Sequence, residues 1–425
     1  MQTGPVPARG HRPRVGAWSR SALQGWKETI VKKILIAFLV LALTSGAALA
    51  QGLTVWTTFG DETLEWLQGE AASFSSVFGV ETSVVRFDIG ELQQQALLAA
   101  PQGQAGDLFV GVPHDQIAGL ALGGITADIA GLATAAYLED LNEQARLAYT
   151  FRGRLVGLPM YVEGPALVVN NDLVDALPTT YDELIALAQE LTTADTFGFL
   201  HDINNFYFSF GWLNTWSGYV FGSDATGSLV ADDVGLDSEG AIAGAQALKD
   251  LRFEHGLYPA GVNYDVANGL FVDGALAMIY NGPWAISQYR GAGLDVSVHP
   301  MPPLADGTPW SGFMGVQGVL INAFTTQRAN AANFAKWITR PDAQLSMARL
   351  SGRIPASISA VAQVDDDPII AGFGTALLDS VPMPNIPEMG NVWGPAGDAL
   401  AVITESEGSD VEALLRRAAQ DIRGN

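Results

Sequence analysis

The chain has 425 residues, 22 Lys and Arg against 45 Asp and Glu, a formal charge of −23 and no cysteine. This length suits two or three domains, and 48% hydrophobic residues supply a large core, which excludes global disorder. The acidic balance argues against nucleic acid, which is held by clustered Lys and Arg; the missing cysteine removes disulfides, thiolate metal sites, catalytic thiols and thiol-linked lipid anchors.

The chain opens with a segment unlike the rest. Lys32-Lys33, the apolar run Ile34–Leu43 and the small residues Ala48-Leu49-Ala50 read as a secretory signal peptide cleaved before Gln51. The run is about half the length that a membrane-crossing helix needs. Residues 1–30 show no apolar period, and Val31 stands where an initiator is expected, so translation is predicted to start there, with 1–30 an untranslated upstream extension. Removing residues 1–50 takes away seven basic residues and one acid, leaving 375 residues with 15 basic against 44 acidic. The surplus of acids is expected to serve solubility outside the cell.

Leu53-Thr54-Val55-Trp56, bounded by Gly52 and Gly60, predicts a first strand. Leu64, Leu67, Ala71 and Phe74 then form one apolar stripe of a helix. A strand at Ser83–Phe87, a helix at Glu91–Ala100 and a strand at Asp107–Val112 follow. Strand–helix alternation predicts an α/β fold, since parallel strands need helical crossovers. Ligands of such sheets bind at the carboxyl ends of strands, near 57–62 and 112–116 here. Gly157–Pro165 interrupts the pattern before a strand at Ala166–Val169. Thr180 and Glu183 predict a capping box opening a helix to Thr192. Further helices are expected at Ser238–Glu254, Ala329–Thr339 and Asp342–Leu350, and strands at Ala275–Tyr280 and Val316–Ile321. A last helix is expected from Ser409, with Glu412 as capping partner. Lys249 and Lys336, the two lysines left after residue 50, read as exposed helix positions, and neither sits in a phosphate-binding loop.

Several of these stretches resemble the periplasmic maltose/maltodextrin-binding proteins of ATP-driven importers. They are Leu53–Trp56 with Gly60-Asp61, Asp107-Leu108-Phe109 with His114-Asp115, and Leu158–Glu163. The most specific are Phe271–Met278 leading into Asn281-Gly282-Pro283-Trp284, and Met383–Met389 before Trp393. The resemblance runs in order from Leu53 to about Arg423. It implies a two-lobed, periplasmic-binding-protein-like α/β fold, each lobe a mixed, mostly parallel sheet flanked by helices, with a ligand cleft between. One lobe would comprise 51–161 and 317–363, the other 164–314 and 368–425. It further implies capture of a sugar such as maltose, maltodextrin or trehalose, delivery to the membrane subunits of an ABC permease, a monomer, no cofactor and no catalysis; the missing cysteine adds the expectation of a protein free in the periplasm rather than a lipoprotein.

A sugar presents apolar faces and a rim of hydroxyls, so its site needs aromatic platforms and directional polar groups. By the resemblance, Trp284, Trp393 and Tyr207 are the platforms, against the competing reading of core aromatics; Phe210, Trp212 and Trp216 read as core. Asp61, Asp115 and Glu163 match carboxylates that accept from sugar hydroxyls, although Asp115 could instead cap a helix. Glu62 and Asn205 stand where the family carries a lysine and a glutamate. Gly111 stands where a tryptophan is expected, and Gln116 and Gly397 where arginines are. The cleft so mapped has no basic residue, which argues against anionic ligands. A polyamine would suit acids and aromatics, and a secreted glycoside hydrolase could use Asp61 and Glu163 as its carboxylate pair. His114, His201, His255 and His299 show no metal-ligand spacing and read as cap, surface or core.

Overall fold

The computed structural model describes residues 52–364 and 366–424; the signal peptide, the start at Val31 and the cleavage before Gln51 lie outside them.

The first lobe is built on a seven-stranded sheet. Buried, β-branched β1 (Leu53–Thr57) pairs in parallel with β2 (Thr82–Arg86) and β3 (Leu108–Pro113). Helix Asp61–Phe78 makes the first crossover and buries the expected Leu67, Ala71 and Phe74 against the sheet. Gly79, at φ 68°, ends it in the left-handed conformation that glycine adopts without penalty. A short hairpin follows, β4 (Thr150–Phe151) and β5 (Arg154–Leu155). Then β6 (Leu158–Glu163) carries the chain out of the lobe.

The second lobe holds a four-stranded sheet. It contains β7 (Ala166–Asn170), β8 (Phe197–Leu200), β11 (Leu276–Asn281) and β12 (Val296–His299), in the spatial order β12-β7-β11-β8. The hairpin β9 (Phe221–Ser223) and β10 (Leu229–Val234) lies apart from it. The chain returns along β13 (Phe313–Ile321), every residue of which is buried. β13 runs antiparallel between β3 and β6, and β14 (Ile354–Pro355) and β15 (Val381–Pro382) complete the first sheet.

The sheets are mixed, as expected, but parallel pairs do not predominate. In the first sheet three strand pairs are parallel and three antiparallel; in the second only β8–β11 is parallel. The cause is the double passage between lobes. A strand that leaves a lobe and one that re-enters beside it must run in opposite directions.

Local chemistry explains the ends of elements and corrects some expectations. Thr180 caps helix Tyr181–Leu191, accepting from the Glu183 N–H, but the Glu183 carboxylate turns to the Thr179 backbone and hydroxyl instead of closing the box on Thr180. The last helix starts at Val411 with Asp410 as its cap, because the shorter carboxylate reaches the Ala413 N–H at 3.0 Å; Glu412 pairs with Arg416 one turn on. Lys249 is buried, not exposed. Its ammonium donates to the Ser409 carbonyl at 2.8 Å and ties helix Glu239–Phe253 to the turn before the last helix. Lys336 is exposed as expected. No helix among the described residues is long and apolar enough to cross a membrane.

Candidate functional site

The strands that connect the lobes floor a cavity of about 850 Å³. Asp61, Glu62, Asp115, Glu163, Asn205, Tyr207, Trp284 and Trp393 all line it, so residues up to 332 positions apart in sequence converge on one space. Thr57 ends β1 and Pro113 ends β3 beside it, the carboxyl ends of parallel strands.

On the first lobe, Asp61 is exposed at the start of its helix with φ 47°. That is a left-handed conformation which Asp tolerates better than bulky residues do. Glu62 follows, half-buried, and its Oε2 accepts from the Ser287 hydroxyl of the second lobe at 2.9 Å. Asp115 is the second residue of helix His114–Leu122; Pro113 occupies the capping position, so Asp115 is not the cap. Burial pushes its carboxyl up to about 6, partly offset by its own backbone N–H and by contact with Trp393. His114 beside it is fully buried; Nδ1 accepts from the Val316 N–H and Nε2 donates to the Met383 carbonyl. Both ring nitrogens are thus used, and burial pulls the imidazole down to about 4. It is a neutral strut between the first lobe and the Met383–Met389 stretch.

Glu163, at the end of β6, is part of a buried polar chain. Its Oε1 accepts from Gln317 Nε2, and its Oε2 from Arg353 Nε at 3.0 Å. Tyr161 donates to Gln317 Oε1 at 2.7 Å and lies under the guanidinium, 4.9 Å from ring centre to Cζ. Burial raises the Glu163 carboxyl and Arg353 pulls it back. Arg353 lines the cavity, which corrects the expectation of a cleft with no basic residue. Its Nη1 is buried and has no protein partner. No local signal marks Arg353; the antiparallel pairing of Ile354 with Val162 is what brings it beside Glu163.

The second lobe supplies the aromatics. Tyr207 lies almost parallel to Phe313 at 6.2 Å, and Phe210 stacks on Phe313 at 3.7 Å. Trp393 meets Phe206 and Phe313 edge-on. Asn205 caps helix Phe206–Thr215 through Oδ1 to the Tyr207 N–H. The Asn281-Gly282-Pro283-Trp284 motif has a steric logic. A Cβ at Gly282 would stand 2.1 Å from Trp284 Cη2, so the indole folds over bare backbone. Buried Asn281 fixes the turn, accepting from the Gly282 N–H and donating to the Tyr289 hydroxyl. Phe210 and Trp212 are core, as expected, and Trp216 is half-buried.

Gly111 is not a vacated aromatic position. It is the extra residue of a bulge where β3 slips against β13, with φ 77°, and a Cβ there would lie 2.6 Å from the Phe59 ring. Gln116 lines the cavity with Oε1 buried and unpartnered, while its Nε2 holds the Ile89 carbonyl. A Cβ at Gly397 would meet the Asn204 carbonyl at 3.9 Å, an ordinary contact. Tyr264, Asn268, Ser287 and Gln317 also line the cavity and were missed; they are ordinary polar residues whose role depends on placement alone. Of the other histidines, His201 is buried between Trp212 and Tyr258 and His299 is half-buried.

Residues 71–372 match the family of bacterial extracellular solute-binding proteins. Over 88% of this chain and 99% of its own, a solved structure of the Thermus thermophilus maltotriose binding protein bound with maltotriose is 43% identical, with a TM-score of 0.85. The maltotriose-binding protein of Pyrococcus abyssi is 27% identical over 88% of this chain and 82% of its own length. The galactooligosaccharide-binding protein of Bacillus subtilis is also 27% identical, over 88% of this chain and 89% of its own.

Proposed function

Because the chain belongs to the family of bacterial extracellular solute-binding proteins, we propose that it is the substrate-binding component of an ABC importer that captures malto-oligosaccharides in the cleft between its lobes. The observation that carries this reading is the convergence of four half-buried aromatics, Tyr207, Tyr264, Trp284 and Trp393, and five carboxylates, Asp61, Glu62, Asp115, Glu163 and Asp265, on one cavity. Aromatic faces suit the C–H surfaces of glucose units, and acceptor-only carboxylates suit their hydroxyls. A cavity of about 850 Å³ suits an oligosaccharide. The 43% identical neighbour, bound with maltotriose, favours that chain length over a single sugar.

One lobe is 51–161 with 317–363 and the other 164–314 with 368–425, except that β15 joins the start of β13 at the edge of the first sheet, and the lobes close by bending about the connecting strands. The chain is secreted as a monomer with residues 31–50 as its signal, stays free in the periplasm and hands sugar to membrane permease subunits. Arg353 neutralises Glu163, which leaves a polyamine one carboxylate fewer in the cleft. Glu163 is committed to Arg353 and Gln317, which leaves a glycosidase without a free second carboxylate at that place. Galacto-oligosaccharide is the second reading, favoured by the Bacillus relative.

Calorimetry against maltose, maltotriose, trehalose, sucrose, a galacto-oligosaccharide and spermidine tests the assignment. Heat with maltotriose or maltose supports it. Heat with the galacto-oligosaccharide alone would move the specificity, and silence with every sugar would overturn it.

A further inference from the structure

A direct polar contact crosses the front of the cleft. Ser287, the second residue of the short helix Ile286–Gly291 in the second lobe, donates from Oγ to Glu62 Oε2 of the first lobe at 2.9 Å. Both residues are half-buried and both line the cavity. The preceding residue, Ile286, is fully buried, and its Cγ1 lies 3.7 Å from where a Cβ of Gly352 would stand, at the end of helix Pro341–Ser351. Two successive residues of one helix therefore meet the other lobe. Ile286 sits buried beside the bare Gly352 backbone at the back, a non-directional approach which small rotations preserve. Ser287 makes a directional, charge-assisted bond at the front, which any opening of more than about 1 Å breaks.

We propose that Glu62 and Ser287 form an interlobe latch that holds the lobes together over bound ligand and sets how slowly it leaves. The proposal rests on the cleft being the ligand site. Glu62 stands at a position where a lysine is expected, and its Oε2 is engaged by the opposite lobe while Oε1 remains an acceptor for the ligand. A hydrogen bond to a charged group, partly screened by solvent, slows release about five- to tenfold. Because the same bond also favours the closed form of the ligand-free protein, its loss leaves association equal or faster, never slower.

The test combines stopped-flow tryptophan fluorescence with maltotriose and small-angle scattering of the ligand-free protein, on wild type, Ser287→Ala, Ser287→Thr, Glu62→Ala and the double variant. The latch requires faster release in Ser287→Ala with association no slower than wild type, recovery in Ser287→Thr, and a double variant no faster than the worse single one. It also requires a larger radius of gyration for ligand-free Ser287→Ala than for wild type. Additive increases in release rate from the two sites would mean that each touches the sugar independently, and would overturn the latch, as would unchanged release and unchanged scattering. If wild type shows no maltotriose signal, the functional reading fails, while the scattering comparison still decides the latch. Circular dichroism melting confirms that each variant is folded.

Discussion

Arg353 donates from Nε to Glu163 Oε2 at 3.0 Å across 190 positions of sequence, with the two side chains 8% and 5% exposed. Charges this well buried are stable only as a pair. Removing one partner from a buried pair leaves the other desolvated, at about 3–5 kcal/mol. Arg353→Met is therefore expected to lower the unfolding free energy by roughly that amount. Arg353→Met combined with Glu163→Gln is expected to recover most of it, because no charge is stranded. Urea unfolding of the three proteins checks this; a double variant as unstable as Arg353→Met would show that the loss is packing and not charge.

Gly282→Ala is expected to weaken sugar binding without touching the sugar. A Cβ at 2.1 Å from the Trp284 ring must push the indole off its place. Trp284→Ala removes the platform outright and should cost about 2 kcal/mol or more in affinity, roughly thirtyfold, as buried aromatic anchors do. The half-buried ring leaves the melting transition of Trp284→Ala near wild type. Calorimetric titration and thermal melts of both variants measure it; a large loss of stability would instead place Trp284 in the core.

Sugar binding is expected to fall as pH drops through about 6. The Asp115 carboxyl titrates there because burial raises it, and its protonated form no longer offers two free acceptor oxygens. Asp115→Asn should flatten the profile at the low-pH level. Affinities at pH 5, 6, 7 and 8 suffice, and a profile flat across that range in the wild type would refute the assignment.

Stability has its own pH dependence, of opposite sign for two kinds of group. His114 and His201 are held down to about 4 and about 3 by burial. Their unfolded forms take up protons below about 6.5, so stability is lost as pH falls from there. Asp115, raised by burial, works the other way: its contribution is complete below about 4 and is lost as pH rises through about 6. At pH 5 the two histidines together cost a few kcal/mol and Asp115 returns about 1, so from these three groups the protein should be less stable at pH 5 than at pH 7. Guanidinium unfolding at the two pH values is the check.

Gly111→Ala is expected to destabilise the fold by about 1–3 kcal/mol, from a left-handed backbone and from crowding against Phe59. A tryptophan placed there will not restore a stacking platform. Thermal melts of Gly111→Ala decide it, and an unchanged midpoint would mean that the bulge can relax.

The amino-acid order alone determined much here. Periodicity marked the first strand and the helix stripe of Leu67, Ala71 and Phe74, because burial of one face leaves a trace every three to four residues. Short motifs with Gly and Pro marked the cleft aromatics, because unusual turns need unusual residues. Resemblance gathered eight positions that do line one cavity. What only the tertiary structure decided is pairing at a distance. Arg353 meets Glu163, Ser287 meets Glu62, and Lys249 meets Ser409 because strand registers and crossovers carry them together. A buried arginine, a latch serine and a buried lysine have no local pattern, since their environment is made entirely by residues far away in the chain.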